Sequence, residues 1–381
     1  LILESHESFV QWSLVMDVLI SGAGVAGPAL AYWLRHHGFA PTVVERAPRA
    51  RADGGSMGLC GEALDVLDRM ALLERVKALT MHASVAGDLR ILRGDLIGLL
   101  HEATHRQVEY VFGDSIATLE QNADGARVTF ERGPPRRFHL VAGADGLHSR
   151  ARSLVFGPPE RFVRHLGIYT AAFRLPGRLG LRDAGGLPRM PGKAADILST
   201  RDGTGTYAAL HFASGPLAYD RDDVAQHKRI VAGQFADERR PYPRLLEEMS
   251  RAEDFFFDVN AQVEMDRWSS GRTVLLGDAG YGAAPASGRG ASQALIGAYV
   301  LAGELAVAGG DHTAAFAAYE REMRGFVAEH QQMGRDEADR FFMGGPLHQG
   351  VGPAAARAPQ VARGQIVRLK DYAPGFASRR S

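Results

Sequence analysis

The chain has 381 residues, 44 Lys plus Arg against 44 Asp plus Glu, and one cysteine, Cys60. That length suits one large or two intimate domains. The balanced charge gives no basic stripe for nucleic acid, the single thiol excludes an internal disulfide framework and an all-cysteine metal site, and no run of about 18 or more apolar residues marks a membrane span. One cysteine in a chain of this size fits a reducing, cytoplasmic setting. Residues 1–14 read as no element, and Met16, just before the first strand, is the expected native start.

Val18-Leu19-Ile20-Ser21 is an apolar strand that ends in Gly22-Ala23-Gly24-Val25-Ala26-Gly27, and residues 29–34 continue as a helix. Gly22 permits the tight turn, Gly24 lets a pyrophosphate reach the backbone, and Gly27 lets helix and strand pack closely. The unpaired N–H groups and positive end of the helix face the phosphates. The helix stops at His37-Gly38, where His36 and His37 are read as interacting with its carbonyl end. Residues 41–45 form the next parallel strand, and Glu45 lies about 20 residues beyond the glycines, the spacing of an acid that accepts ribose hydroxyls. Its charge repels a 2′-phosphate, so FAD or NAD is expected here rather than NADP.

The Arg- and Gly-rich loop from Arg46 to Gly55 is either solvated surface or brings Arg46 or Arg51 to the pyrophosphate. Apolar spacing predicts one amphipathic helix over 61–79. Residues 91–96 lead into a helix through Glu102. His101 and His105 stand four apart with no third metal ligand at a suitable spacing, and are read as a solvated helix face. Short strands are expected at 108–112, 115–120, 127–131 and 138–143. Residues 143–152, Gly-Ala-Asp-Gly-Leu-His-Ser-Arg-Ala-Arg, read as a second strand–turn–helix unit. Ser149 caps its helix, and Asp145 either orients the turn or meets a ribose.

Strands follow at 167–175, 195–200 and 206–212, then helical residues 222–251 with a Pro241-Tyr242-Pro243 break, then an aromatic-rich strand over 255–265. This block predicts a separate sheet, the natural place for a substrate pocket. Phe173, His211, Phe212 and Phe257 are candidates for its lining, with core packing the alternative fate of each. A strand at 273–276 delivers Gly277-Asp278-Ala279, a small-residue loop follows to Gly290, and helices are expected over 291–307 and 313–342. The stretch from Gly344 onward, rich in Gly, Pro, Ala and Arg, is read as having little order.

Taken together, three separated motifs resemble those of the class A FAD-dependent monooxygenases, the aromatic-hydroxylase type of flavoprotein. Gly22, Gly24, Gly27, Glu45 and Arg46 look like the family's first fingerprint. Asp145-Gly146, Ser149 and Arg152 resemble its Asp-Gly-x-x-Ser-x-x-Arg. Gly277-Asp278-Ala279, Pro285, Gly288 and Gly290 resemble its Gly-Asp-Ala segment, and Arg93 is similar to the arginine that reaches the flavin at a helix start. Residues 297–305 look most like the actinobacterial natural-product or antibiotic-modifying branch.

The resemblance implies an α/β fold: a Rossmann-type FAD-binding domain (GR2-like) interleaved with a β-sheet substrate domain and followed by a long C-terminal helix. It divides the chain into 16–165 (FAD-binding, with part of the substrate-side sheet near 80–95), 166–265 (substrate), 266–308 (FAD-binding), 309–343 (long helix) and 344–381 (tail). The implied FAD contacts are Gly22, Gly24, Gly27, Glu45, Arg46, Arg51, Arg93, Asp145, Asp278, Pro285, Gly288, Arg289, Gly290 and Ala291. The implied chemistry is hydroxylation or epoxidation of a largely apolar aromatic or polyketide-type small molecule through a flavin C4a-hydroperoxide. NADPH or NADH is the reductant and O₂ the oxidant, with no metal, no catalytic side chain beyond the loop of Pro285, Gly288 and Gly290, and a monomer or homodimer as the assembly.

The chain also departs from the family pattern. Gly280-Tyr281 stand where Ala-His is frequent, Arg289 where Gln or Glu is usual, and Ser292 and Gly297 where Asn and Asp recur. The stretch between Thr80 and Arg90 is short. These departures leave an alternative open, an FAD-binding protein that templates a non-redox polyketide cyclisation. A plain NAD-linked dehydrogenase would lack its nicotinamide domain and would account for neither Asp145-Gly146 nor residues 285–290.

Overall fold

The structure is a computed structural model that describes residues 15–50, 55–81, 88–176, 190–200, 205–239, 241–342 and 367–372. Residues 1–14, with the expectation for the start of the chain, and Arg51 lie outside the described residues.

The first half runs β1 (Asp17–Ser21), α1 (Ala26–His36), β2 (Ala40–Glu45), β3 (Ser56–Leu59), α2 (Glu62–Arg69), α3 (Leu73–Ala78), β4 (Leu89–Leu92) and α4 (Arg93–Thr104). It continues through β5 (Glu109–Phe112), β6 (Ile116–Asn122), β7 (Gly125–Phe130), β8 (Arg136–Phe138), β9 (Leu140–Gly143) and α5 (Arg150–Phe156). Then come β10 (Val163–Leu175), β11 (Lys193–Ser199), β12 (Thr206–Ala213), α6 (Val224–Gln234), α7 (Tyr242–Arg251) and β13 (Phe255–Val263). The chain returns through β14 (Ser269–Ser270), β15 (Thr273–Leu275), α8 (Asp278–Tyr281), a 3₁₀ turn Pro285–Ser287, α9 (Gly290–Val307) and α10 (His312–Phe342).

Two sheets set the architecture. The six-stranded sheet has the order β14-β15-β9-β1-β2-β5, with β1 parallel to β2 and β9 and β15 parallel to β9. Its strands are apolar on both faces because α1, α9 and α10 cover one side and the three-stranded β6-β7-β8 sheet the other. The antiparallel sheet β11-β12-β10-β13 lays one face on α6 and α7. Helix α9 is long and apolar enough to cross a membrane by composition, yet 83% of it is buried inside the protein, which makes it a core helix.

Three local expectations are corrected. The helix predicted over 61–79 is two helices: Ala71 takes φ 56°, and the N–H of Leu72 closes back on Leu67 O at 2.9 Å. Periodicity survives such a break because both helices keep their apolar faces inward. The strand predicted over 138–143 is split at His139 between β8 and β9, which belong to different sheets. The tail is also docked in part. Tyr372 lies where a side chain at Gly303 would be, and its hydroxyl donates to Glu304 Oε1 at 2.8 Å. Lys370 bonds Glu304 and Glu322, each at 2.8 Å. The glycine in α9 therefore specifies a tail contact that composition alone conceals.

Candidate active site

The turn after β1 has the geometry its glycines require. Gly22 sits at φ 107°, and a Cβ there would lie 2.6 Å from Ala144 O. A Cβ on Gly27 would fall on the carbonyl oxygen of Gly22, so helix and strand touch through backbone alone. At Gly24, by contrast, a Cβ would meet nothing within 4 Å: this glycine leaves an approach open rather than relieving a clash. Helix α1 has no side-chain cap and no acid in its first turn, so its leading N–H groups keep their donor capacity. Glu45 stands beside them and accepts the N–H of Ala23 at 2.8 Å and of Ala47 at 2.9 Å, which fixes its carboxylate at the end of β2. Arg46 is exposed. His37 meets the carbonyl end of α1 through its backbone N–H, at 3.0 Å from Trp33 O. Its ring makes no such contact: it is buried with neither nitrogen partnered, and burial, then the neighbouring His36, pull it down to about 4.

In the second unit, Ser149 caps α5 by accepting Arg152 N–H at 2.9 Å, as expected. Asp145 is engaged by its own turn. One oxygen accepts Ser149 Oγ–H at 2.5 Å, and the other accepts Ser21 Oγ–H at 3.1 Å and the N–H groups of Arg150 and Ala151 at 2.8 and 3.0 Å. A carboxylate with four donors from its own chain orients the turn. Arg152, fully buried, donates to Leu147 O at 2.6 Å and Ala279 O at 2.9 Å, tying the second motif to the third.

Gly277 (φ 64°) lies at the meeting point of α1 and α9, where a Cβ would touch Ala26 at 3.4 Å and Ala294 at 3.7 Å. Asp278 follows. Its side chain is exposed to solvent, while the protein on either side of it raises its carboxyl above the ordinary value, Arg93 and Arg152 opposing that shift and Asp258 adding to it. Arg93 begins α4, its N–H bonds Gly55 O at 2.9 Å, and its buried Nε has no partner among the described residues. The loop Pro285–Ser287 is held by Ser287 Oγ donating to Ala284 O at 2.8 Å and ends at Gly288 in the left-handed region, φ 66°. Helix α9 starts there with Gly290 and Ala291, again uncapped and without an acid in its first turn.

The departures from the family pattern are explained as packing pairs. A side chain at 297 would collide with the Tyr281 hydroxyl, so Gly297 and Tyr281 require one another. Ser292 Oγ accepts the Cys60 N–H at 3.2 Å. The guanidinium of Arg289 contacts the Cys60 sulfur and lies 3.5 Å from Asp88, so its charge is answered by the chain itself.

Of the two fates open to Phe173, Phe212 and Phe257, the structure shows core packing. Phe173, Phe212 and Phe257 point to the α6–α7 side and pack with Phe235, Leu245 and Met249. Alternation puts their neighbours on the other face. His211 is there, buried, with Thr170, Asp196 and Asn260. Sequence reasoning missed these last three. The signal was available as polar residues at alternate positions in strands too apolar to have a solvated face.

A buried unpartnered Arg93 Nε, two uncapped helix starts and an open Gly24 fit a flavin dinucleotide. A family model described as FAD binding domain matches residues 15–96. A flavin-dependent monooxygenase from an unknown prokaryotic organism is 36% identical over 354 residues, 87% of this chain and 91% of that protein. The chain belongs to the FAD-dependent class A monooxygenases. An uncharacterized protein of Mycobacterium tuberculosis is 41% identical to this monooxygenase, covering 93% of this chain and 99% of its own. The crystal structure of tetracycline destructase Tet(55) superposes with a TM-score of 0.77 at 35% identity, covering 86% of this monooxygenase and 90% of that chain. These relatives do not favour the non-redox cyclase alternative.

Proposed function

We propose that the enzyme uses NADPH or NADH and O₂ to insert one oxygen atom into an aromatic or polyketide-type, largely apolar small molecule. The overall balance is substrate, O₂, NAD(P)H and a proton giving oxygenated product, NAD(P)⁺ and water. The observation that carries the reading is that Gly277, between α1 and α9, sets Asp278 against Gly290 of the 285–290 loop and within electrostatic reach of Arg93, close to the sheet that bears Thr170 and His211. The relatives named flavin-dependent monooxygenase and tetracycline destructase support the reaction class and a polycyclic, hydroxylated substrate.

Bound FAD supplies two-electron reduction by the nicotinamide and activation of O₂. The N–H groups after Gly24 would hold its pyrophosphate and the remaining lone pairs of Glu45 its ribose hydroxyls. Arg93 and Asp278 would bind on the flavin side, and the small residues from Pro285 to Ala291 would admit the ring while excluding bulky side chains and water. The 16–165, 166–265, 266–308 and 309–343 division is the domain assignment that this reading uses.

The test is anaerobic mixing of FAD-loaded protein with NADPH and then NADH, with and without tetracycline. Flavin bleaching that reverses in air, with oxygen appearing in the product, supports the proposal. A flavin that accepts electrons from dithionite but from neither nicotinamide, with every hydroxylated ring system tried, refutes it.

A further inference from the structure

A row of polar side chains crosses the face of the four-stranded sheet turned toward the loop. Asn260 (β13), Thr170 (β10), His211 (β12) and Asp196 (β11) are 0, 7, 0 and 5% exposed. Arg90 of β4 is also buried and donates to Ser56 Oγ at 2.6 Å. Its charge interacts with Asp196, and burial brings it down to about 10, so it stays cationic at neutral pH. Thr170 lies between two β10 residues that touch the candidate site. On the same face of β10, Ile168 packs with Ala286 of the loop, and Ala172 lies against Gly55, whose carbonyl holds the Arg93 N–H.

The charges around His211 select its tautomer. Nε2 lies 3.4 Å from Asp196 Oδ2 without hydrogen-bond geometry; a lone pair there would still face a carboxylate, so electrostatics place the proton on Nε2. Nδ1, 2.9 Å from Thr170 Oγ1, is then an acceptor, and the Thr170 hydroxyl must donate to it. Asn260 Nδ2 donates to the same oxygen at 2.9 Å. The hydroxyl proton is thus committed to His211, and what remains on Thr170 is a lone pair. Two further buried atoms of the row have no hydrogen-bond partner among the described residues: His211 Nε2 and the acceptor Asn260 Oδ1. From β10 and β13 the groups on the His211 face are Thr170, the uncharged Asn260 and the carboxylate of Asp258. Asp258, opposite Thr170 in register, is 3.3 Å from His148.

We propose that His211 is a positioning residue that fixes Thr170 as a hydrogen-bond acceptor on the site wall, so that the enzyme selects substrates presenting a hydroxyl or enol donor there. The substrate part rests on the monooxygenase reading above.

Two measurements decide this. Two-bond ¹H–¹⁵N spectra of FAD-loaded, ¹⁵N-histidine protein, assigned with His211→Gln, are expected to show the Nε2–H tautomer at pH 7.5. An Nδ1–H tautomer overturns the proposal whether or not the enzyme is an oxygenase. With tetracycline as probe, Thr170→Val is expected to raise KM about three- to tenfold, with kcat changed less than twofold and Thr170→Ser restoring wild-type values. An unchanged KM in Thr170→Val overturns the substrate part. A wild type that turns over no hydroxylated probe refutes the monooxygenase reading, while the tautomer still decides the role of His211.

Discussion

Gly297→Ala adds one methyl group inside α9, where helix propensity alone would favour it by about 0.8–1 kcal/mol. The structure reverses that sign. The new Cβ would overlap the Tyr281 hydroxyl and lie 2.9 Å from Leu276 Cδ1. Tyr281 cannot withdraw: it is fully buried, its ring centroid is 4.5 Å from that of Trp268, and its hydroxyl shares a 2.7 Å bond with Tyr319. Overpacking of this kind costs about 1–3 kcal/mol, so after the propensity gain a net loss of up to about 2 kcal/mol is expected. Tyr281→Phe should cost about 1 kcal/mol for the lost hydrogen bond. It also removes the oxygen that the methyl strikes, so the double variant should be more stable than the sum of the singles by at least about 1 kcal/mol. Urea unfolding followed by circular dichroism on all four proteins measures this. Additivity within about 0.5 kcal/mol would refute the paired-departure explanation.

Gly24→Val should fold with a wild-type circular dichroism spectrum, because no atom lies within 4 Å of the added Cβ, yet purify with little flavin. Normal FAD retention in that variant would move the pyrophosphate elsewhere. His37 holds its neutral form because burial depresses its folded value to about 4, against about 6.5 unfolded. The unfolded chain therefore binds more protons between those values, and the contribution is complete above about pH 6.5 and lost as pH falls toward 4. His37→Phe should flatten that acid limb by up to about 3 kcal/mol, as read from unfolding free energies at pH 7 and pH 4.5. Gly303→Ala should displace Tyr372 from α9, seen as faster proteolysis of the C-terminal segment without loss of FAD. Equal proteolysis rates would count against the docked tail.

Much of the cofactor side was legible because local backbone chemistry dictates it. A strand followed by Gly22, Gly24 and Gly27 has few other conformations, and Glu45 follows at a spacing fixed by one helix and one strand. The alternation that defines β10, β12 and β13 was equally visible. Which face of those strands looks toward the flavin side was not, since either face of an alternating strand can be the buried one. Only the packing of α6 and α7 settled that Phe173, Phe212 and Phe257 face away and that Thr170, His211 and Asn260 face the loop. Asp145 shows the same limit: its motif was readable, but whether its oxygens serve a ligand or the turn depends on Ser21, 124 residues away. Gly297 was legible only as a departure from the family pattern, and Gly303 as one more small residue of a helix. Their meaning lies in Tyr281 and Tyr372, which approach from other elements. Sequence determines what the backbone does over a few residues. The partner that a side chain or an absent side chain answers to is set by contacts across the fold, and these exist only once the chain has closed.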